Sequence, residues 1–178
     1  SILTMPALTT MFHTIIASAI ITLTAPWAFK APLPTNWLAF ILIALLSAFV
    51  GAALGSLIGV ISSDTRETVL WSQLIYLPSM MLGGLMFPSH LLPAGLARLG
   101  RLLPTTYAMH AFQNLALGEE VGFDPLWSVL ILLASGMLAF ALAIYLFNWD
   151  SRNTTPRGHR LMALLALLPY AAGAILLP

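Results

Sequence analysis

The sequence predicts an all-α, polytopic membrane protein with about five transmembrane helices. Of its 178 residues, 60% are hydrophobic and 7% are charged. Because a soluble domain carries roughly 25% charged residues, this chain could not cover a surface that faces water. Its apolar residues also form unbroken runs of about 18 residues or more, the length that a helix needs to cross a bilayer. Strands of a membrane barrel would instead alternate in polarity over about 10 residues.

Five hydrophobic runs are long enough to be spans, at residues 11–29, 37–61, 68–87, 126–149 and 161–177. The first contains His13, and the second and fourth contain no charged residue. Pro78 is expected to kink the third run, which a membrane helix tolerates where neighbouring groups satisfy the freed carbonyl. The fifth run is short and contains Pro169, so its crossing of the membrane is left open.

We interpret residues 1–178 as a single transmembrane domain taken from a longer protein. No Lys- or Arg-rich stretch precedes the first run, as a signal peptide would require. Five spans would also place the two termini on opposite sides of the membrane. The expectation is therefore a C-terminal fragment whose earlier spans precede Ser1. The alternative is a complete small protein that begins at Ser1 after removal of its initiator Met.

Residues 88–118, between the third and fourth runs, are expected to form a helical hairpin at the membrane surface. Leucines recur there at helical spacing and form one apolar stripe: Leu92, Leu96, Leu99 and Leu103. Pro93 suits the first turn of this helix, and Pro104 ends it. A second short helix follows, with Thr105 as its expected cap and Gly118 as its left-handed end. Each helix covers only about 18 Å at 1.5 Å per residue, so the pair dips in and returns or lies in the interface.

The order of motifs through this segment resembles the type-2 ABC permease family. The motifs are Gly83-Gly84, Phe87-Pro88, Leu92-Pro93, Pro104-Thr105-Thr106-Tyr107 and the closing Gly118. In that family a span leads to an external re-entrant hairpin and then to a last span. The polar turn Thr65-Arg66-Glu67 also matches the family's cytoplasmic turn before its fifth span. The resemblance covers residues 37–149.

The resemblance implies that residues 68–87 and 126–149 are the family's fifth and sixth spans. It also assigns six residues to characteristic places in the external re-entrant hairpin: Gly84, Phe87, Pro88, Pro93, Pro104 and Tyr107. Two departures stand out. Leu103 occupies a position where the family often has Asn, and the run 161–177 lies beyond the family's usual last span.

Permeases that this chain resembles pair two membrane subunits, here expected to be a homodimer, with two ATPase subunits. They export lipids, glycans, drugs or peptides. The chain has no Gly-rich loop ending in Gly-Lys-Ser or Gly-Lys-Thr, so no cofactor is expected on it, and ATP with its Mg²⁺ is expected on the partner subunit. The resemblance thus implies a non-enzymatic, multi-pass transport subunit in contact with lipid in a bacterial inner (plasma) membrane.

Basic residues weakly favour an orientation in which the first run leads outward. Four then lie on the cytoplasmic side and three outside: Arg66, Arg152, Arg157 and Arg160, against Lys30, Arg98 and Arg101. The turn at residues 62–67 would face the cytoplasm, where Asp64, Arg66 and Glu67 could touch the ATPase. The alternative is that these three side chains only solvate a turn.

Small residues recur at every fourth position on one face of the second run: Ser47, Gly51, Gly55 and Gly59. Such a stripe lets another helix approach closely, where packing and weak hydrogen bonds stabilise the contact in lipid. It could be the seam of a homodimer. Packing between spans of one subunit is the commoner use of such stripes and is the favoured interpretation.

Catalytic, metal and nucleic-acid sites have little support. The chain has no cysteine, no Gly-x-Ser-x-Gly elbow and no His-Glu-x-x-His motif. His90 and His110 could join Glu119 and Glu120 in an external metal site, but no helical spacing links the histidines. A net charge of +1 without a basic patch gives no support to nucleic-acid binding. Two other functions stay open: a membrane scaffold or assembly protein, and a secondary carrier, which usually needs an intramembrane charge.

Overall fold

A computed structural model describes residues 4–30, 32–87, 91–147 and 159–177 of the chain. Within these ranges the chain is helical and contains no strand. The α-helices, in order, are α1 (Thr4–Phe29), α2 (Trp37–Ile61), α3 (Thr65–Leu82), α4 (Ala94–Gly100), α5 (Pro104–Ala111), α6 (Pro125–Leu146) and α7 (Leu168–Leu176). A π-helical turn (Phe112–Ala116) extends α5, and a 3₁₀ helix (Arg160–Leu167) leads into α7. The prediction of an all-α, polytopic helical membrane protein is confirmed.

Three of the described helices are long and apolar enough to cross a bilayer: Leu8–Phe29 within α1, all of α2 and all of α6. The third predicted run corresponds to α3, which continues through Pro78 but ends at Leu82, before the predicted limit at residue 87. Gly83 is its C-cap, and the helix ends there because Gly84 adopts a left-handed φ of 85°. The sequence stays apolar beyond the end of α3, so the length of the hydrophobic run overestimated the length of the helix.

The centre of the fold is the contact between α2 and α6, which pack side by side. Ala53 and Leu57 of α2 form a buried cluster with Ala139, Leu142 and Ala143 of α6. Small side chains allow the two backbones to approach closely, which is how helices associate where lipid removes the hydrophobic driving force. By contrast α1 lies against α2, and none of its apolar span is buried within the chain.

The segment after α6 reaches from one end of the helix bundle to the other. A 3₁₀ helix rises about 2.0 Å per residue and an α-helix about 1.5 Å, so Arg160–Leu167 and α7 together cover about 30 Å. Arg160 lies beside Glu67 in the first turn of α3, 3.6 Å from its carboxylate. At the other end, Arg101 Nη1 donates to the Leu177 carbonyl oxygen at 2.8 Å. The 3₁₀ stretch thus lengthens a segment that would be short as a pure α-helix.

Candidate functional site

A helical hairpin lies at the end of the bundle where α3 ends and α6 begins. Pro93 immediately precedes α4, and Pro104 is the first residue of α5, where its missing N–H costs no helical hydrogen bond. Gly118 has a φ of 75°, the left-handed conformation expected at the end of the second helix. The chain therefore makes two short helices between the proposed spans, joined at residues 101–103.

Three details of the hairpin differ from expectation or lie beyond the described residues. Thr105 does not cap α5, because its hydroxyl donates to the Ser79 carbonyl oxygen at 3.4 Å. The predicted cap was therefore wrong, and the hydroxyl instead joins α5 to the end of α3. Phe87 is exposed, and Pro88 lies outside the described residues.

Two glycines allow the hairpin and α3 to approach closely. A Cβ on Gly100 would lie 2.6 Å from the Leu82 carbonyl oxygen, so the contact there is with the backbone of α3. A Cβ on Gly83 would overlap the Thr105 side chain of the hairpin and lie 2.5 Å from the Ser79 carbonyl oxygen of α3 itself. A larger residue must displace backbone at Gly100, and Thr105 or backbone at Gly83, so these glycines set the distance between hairpin and span.

Tyr107 anchors the hairpin in the interior of the bundle. Its side chain is 1% exposed, and its ring stacks on Tyr170 of α7 with centroids 5.7 Å apart. The Tyr107 hydroxyl donates to the Tyr170 carbonyl oxygen at 3.4 Å, over a Gly173 that leaves room for it. Burial raises the pKa of Tyr107 to about 12, so the phenol stays neutral. Of the five assigned hairpin residues that the structure describes, Tyr107 is the one most deeply buried.

A polar cluster that the sequence did not reveal lies under the loop between α5 and α6. The His110 ring stacks on Phe123 with centroids 4.0 Å apart, and its Nδ1 lies 3.0 Å from Ser128 Oγ. Asn114 donates to the Val121 carbonyl oxygen at 3.0 Å and accepts from the Val121 N–H at 3.1 Å. Burial lowers the pKa of His110, so the neutral imidazole is favoured. The one signal in the sequence that could have indicated this cluster is the spacing of His110 and Asn114 by one helical turn.

The hairpin and the end of α3 enclose a pocket of about 230 Å³ at this end of the bundle. Five polar side chains line it: Arg101, Thr106, Tyr107, His110 and Gln113. The pocket can accommodate a small polar group. The external metal site considered from sequence is not assembled within the described residues, because His110 Nδ1 faces Ser128, and His90 lies outside them.

The leucine stripe of the hairpin faces away from the bundle. Leu96 and Leu99 are 41% and 54% exposed, while Leu92 and Leu103 are half-buried. Arg98 is exposed beside them. In a bilayer Leu96 and Leu99 would meet lipid rather than the chain's own spans.

The polar turn before α3 is an ordered helix start. Asp64 is the N-cap, and its carboxylate accepts from the Glu67 N–H at 2.8 Å. Glu67 in return accepts from the Ser63 N–H at 2.6 Å and from Trp71 Nε1 at 3.3 Å, an arrangement close to a capping box. Arg66 is exposed and makes no hydrogen bond or ion pair to the described part of the chain. Two of the three predicted ATPase-facing side chains thus hold the turn together, and Arg66 projects from it.

The small-residue stripe on α2 is open. A Cβ built on Gly51, Gly55 or Gly59 would meet nothing within 4 Å among the described residues, and all three glycines are exposed. Ser47, at the start of the stripe, is half-buried. Within the described chain, α2 packs on α6 with a different face, so the favoured use of the stripe, between spans of this segment, is not seen in these ranges.

The chain is similar to a known protein family and to a characterised relative. A family model described as ABC-2 family transporter protein matches residues 2–145. ABC transporter G family member 20 of Dictyostelium discoideum is 25% identical over 136 residues, which cover 75% of this chain and 19% of that protein. The chain thus spans about a fifth of that relative's length. No solved structure matches it significantly.

The family match takes in α1 to α3, the hairpin and all but the last residue of α6. It therefore includes the elements on which the resemblance was based and leaves the 3₁₀ helix and α7 beyond it. A multi-pass transport subunit is the role that this family fills in ABC transporters. The chain belongs to the ABC-2 family of transporter membrane proteins.

Proposed function

We propose that this chain is the membrane-spanning part of an ATP-driven exporter, with ATP and Mg²⁺ bound and hydrolysed on a separate ABC ATPase subunit. The observation that carries the proposal is the hairpin: two helices too short to cross a bilayer, held against the bundle by Tyr107 and by close contacts at Gly83 and Gly100. A hairpin resting loosely on the surface would suit a docking platform. One buried between two spans suits the closure of a transport path.

The polar turn and the hairpin occupy opposite ends of α3, which is 18 residues long and covers about 27 Å. We place the polar turn on the cytoplasmic side, where ATP is available, and the hairpin outside. In this orientation Arg66 is the side chain of the turn that is free to contact an ATPase, because Asp64 and Glu67 are engaged in capping. A displacement of the turn by the ATPase would be transmitted through α3 to Gly83 and to the hairpin.

The same orientation gives the segment Arg160–Leu176 a role as an additional span. Its length of about 30 Å equals the thickness of a hydrocarbon core. It carries Tyr170, the partner of Tyr107, so the hairpin is held by a segment that lies beyond the region shared with the family. The protein would thus be multi-pass, and we place it in a bacterial plasma membrane.

We propose that the neighbouring subunit in the plane of the membrane is a second copy of the permease. The support is the open face formed by Ser47, Gly51, Gly55 and Gly59, where a helix could approach the α2 backbone closely. Lipid, glycan, drug and peptide are all compatible substrates, and the pocket near Arg101 favours one that carries a polar group.

Affinity purification of the full-length protein in mild detergent, followed by identification of co-purifying chains and an ATPase assay, tests the proposal. We expect a stoichiometric ABC ATPase and ATP hydrolysis in the eluate. A homogeneous preparation without an ATPase would overturn it. A membrane scaffold or a secondary carrier would then be the better description, and an ion gradient driving uptake into vesicles would identify the carrier.

A further inference from the structure

An apolar groove runs between α2, α3 and the 3₁₀ helix near the polar turn. It has a volume of about 210 Å³. Aliphatic and aromatic side chains line it from all three elements, among them Leu57, Ile61, Trp71, Leu74, Leu164 and Leu167. An apolar space of this kind accepts an apolar guest, as engineered cavities of about 150 Å³ do. In a bilayer the apolar guest at hand is an acyl chain.

One end of the groove carries a cation. Arg160 Nη1 lies 3.6 Å from the Glu67 carboxylate, which is beyond hydrogen-bonding distance, and the Arg160 side chain is 62% exposed. The carboxylate already accepts from the Ser63 N–H and from Trp71 Nε1. The guanidinium has five N–H donors in a planar fork that matches a phosphate. It therefore retains donors that Glu67 does not use.

We propose that this groove binds an anionic phospholipid of the leaflet on the side of the polar turn, with an acyl chain between α2, α3 and the 3₁₀ helix and the phosphate on Arg160. The charge selects the headgroup, since basic groups at the mouth of pockets between membrane helices bind anionic lipids. The apolar lining selects the tail. The site does not depend on what the transporter exports.

The lipid would also explain how α3 stays in place along its length. Trp71 and Leu74 face the groove and remain 38% and 62% exposed, so α3 and the 3₁₀ helix are bridged at the ion pair while a gap persists beyond it. An acyl chain in that gap would connect the helix that carries the polar turn to the segment that holds the hairpin.

Photo-crosslinking in nanodiscs tests the site directly on the full-length transporter. The probe is phosphatidylglycerol with a diazirine midway along one acyl chain, compared with phosphatidylcholine carrying the same chain. We expect adducts on peptides containing residues 54–61 and 161–167. Labelling by phosphatidylglycerol should exceed that by phosphatidylcholine about fivefold, the ratio that one basic residue near an anionic surface supplies.

Two variants with matched controls separate headgroup from tail. Arg160→Gln should abolish the preference for phosphatidylglycerol, whereas Arg98→Gln, at an exposed arginine of the hairpin, should not. Ala163→Phe should fill the groove and suppress labelling by both lipids, whereas Ala172→Phe on the exposed face of α7 should not. Equal labelling by both lipids in the wild type would overturn the headgroup assignment. Adducts elsewhere on the protein but none at residues 54–61 and 161–167 from either lipid would overturn the site.

Discussion

The glycines of the hairpin and the glycines of α2 are used in opposite ways. At Gly83 and Gly100 the space of a side chain is already filled by neighbouring atoms of the same chain, so the contact is complete within one chain. At Gly51, Gly55 and Gly59 the same space is empty within the described chain. Identical residues therefore mark two kinds of surface: one that sets internal distances and one that is left for another helix. The polar turn shows the same division, because Asp64 is engaged and Arg66 is not.

The largest effect is expected where the hairpin enters the bundle. Tyr107→Ala should destabilise the protein by about 3–5 kcal/mol, the range for removing a buried aromatic ring. Tyr107→Phe keeps the ring stacked on Tyr170 and should lose far less. Thermal unfolding in detergent measures both, and Tyr145→Ala, at an exposed tyrosine of α6, serves as the control. A Tyr107→Ala protein as stable as the Tyr145→Ala protein would show that the hairpin is not anchored there.

The glycine comparison can be tested with a pair of matched substitutions. Gly83→Ala should cost about 1–3 kcal/mol, because overpacking must shift Thr105 or the backbone. Gly55→Ala has open space and should not destabilise the monomer, since Ala exceeds Gly in helix propensity by about 1 kcal/mol. Unfolding midpoints of the two variants at equal detergent concentration make the measurement. Equal losses would remove the distinction between filled and open glycines.

The polar turn provides a smaller but sharper contrast. Asp64→Ala removes the N-cap and should cost about 1 kcal/mol of stability. Arg66→Ala should change stability by less than about 0.5 kcal/mol, as surface substitutions do. If the turn docks on an ATPase, Arg66→Ala should nonetheless lower the ATPase activity of the purified complex. Wild-type activity in Arg66→Ala would leave the turn without a coupling role.

The smallest expected effect is a pH dependence at His110. Its pKa is lowered by burial, so the unfolded state, with a pKa of about 6.5, binds the proton more readily than the folded state does. The free energy of unfolding should therefore fall as the pH drops below about 6.5. In His110→Gln that decrease should be reduced, whereas His13→Gln, at an exposed position of α1, should retain it. The free energy of unfolding of both variants, measured from pH 7.5 to pH 5, tests this difference.

Run length and proline spacing predicted the helices well, because both act locally. The runs at 37–61 and 126–149 contain α2 and all but the first residue of α6, and Pro93 and Pro104 mark where the hairpin helices begin. The end of α3 was missed because hydrophobicity continues to Phe87 while the left-handed φ of Gly84 ends the helix. The Gly83-Gly84 pair was the local signal, whereas the close contact of Gly83 with Thr105 joins residues distant in sequence.

Side-chain partners distant in sequence were harder to predict. The stack of His110 on Phe123 requires the loop after Gly118 to fold back, and the contact of Tyr107 with Tyr170 joins residues 63 positions apart. The 3₁₀ conformation of Arg160–Leu167 also has no marker in its composition, which resembles that of an ordinary apolar helix. Its role appears only once both of its ends are placed, at Glu67 and at Arg101.

The most direct test of the account is photo-crosslinking from the polar turn in native membranes. With p-benzoylphenylalanine in place of Arg66, illumination should give an adduct with an ABC ATPase, identified by mass spectrometry. The same group in place of Gly95, exposed on the hairpin at the other end of the bundle, should give none. An ATPase adduct from position 66 alone is the predicted result. No adduct from position 66, or an equal one from position 95, would contradict the claim that an ABC ATPase drives this chain by contacting the turn before α3.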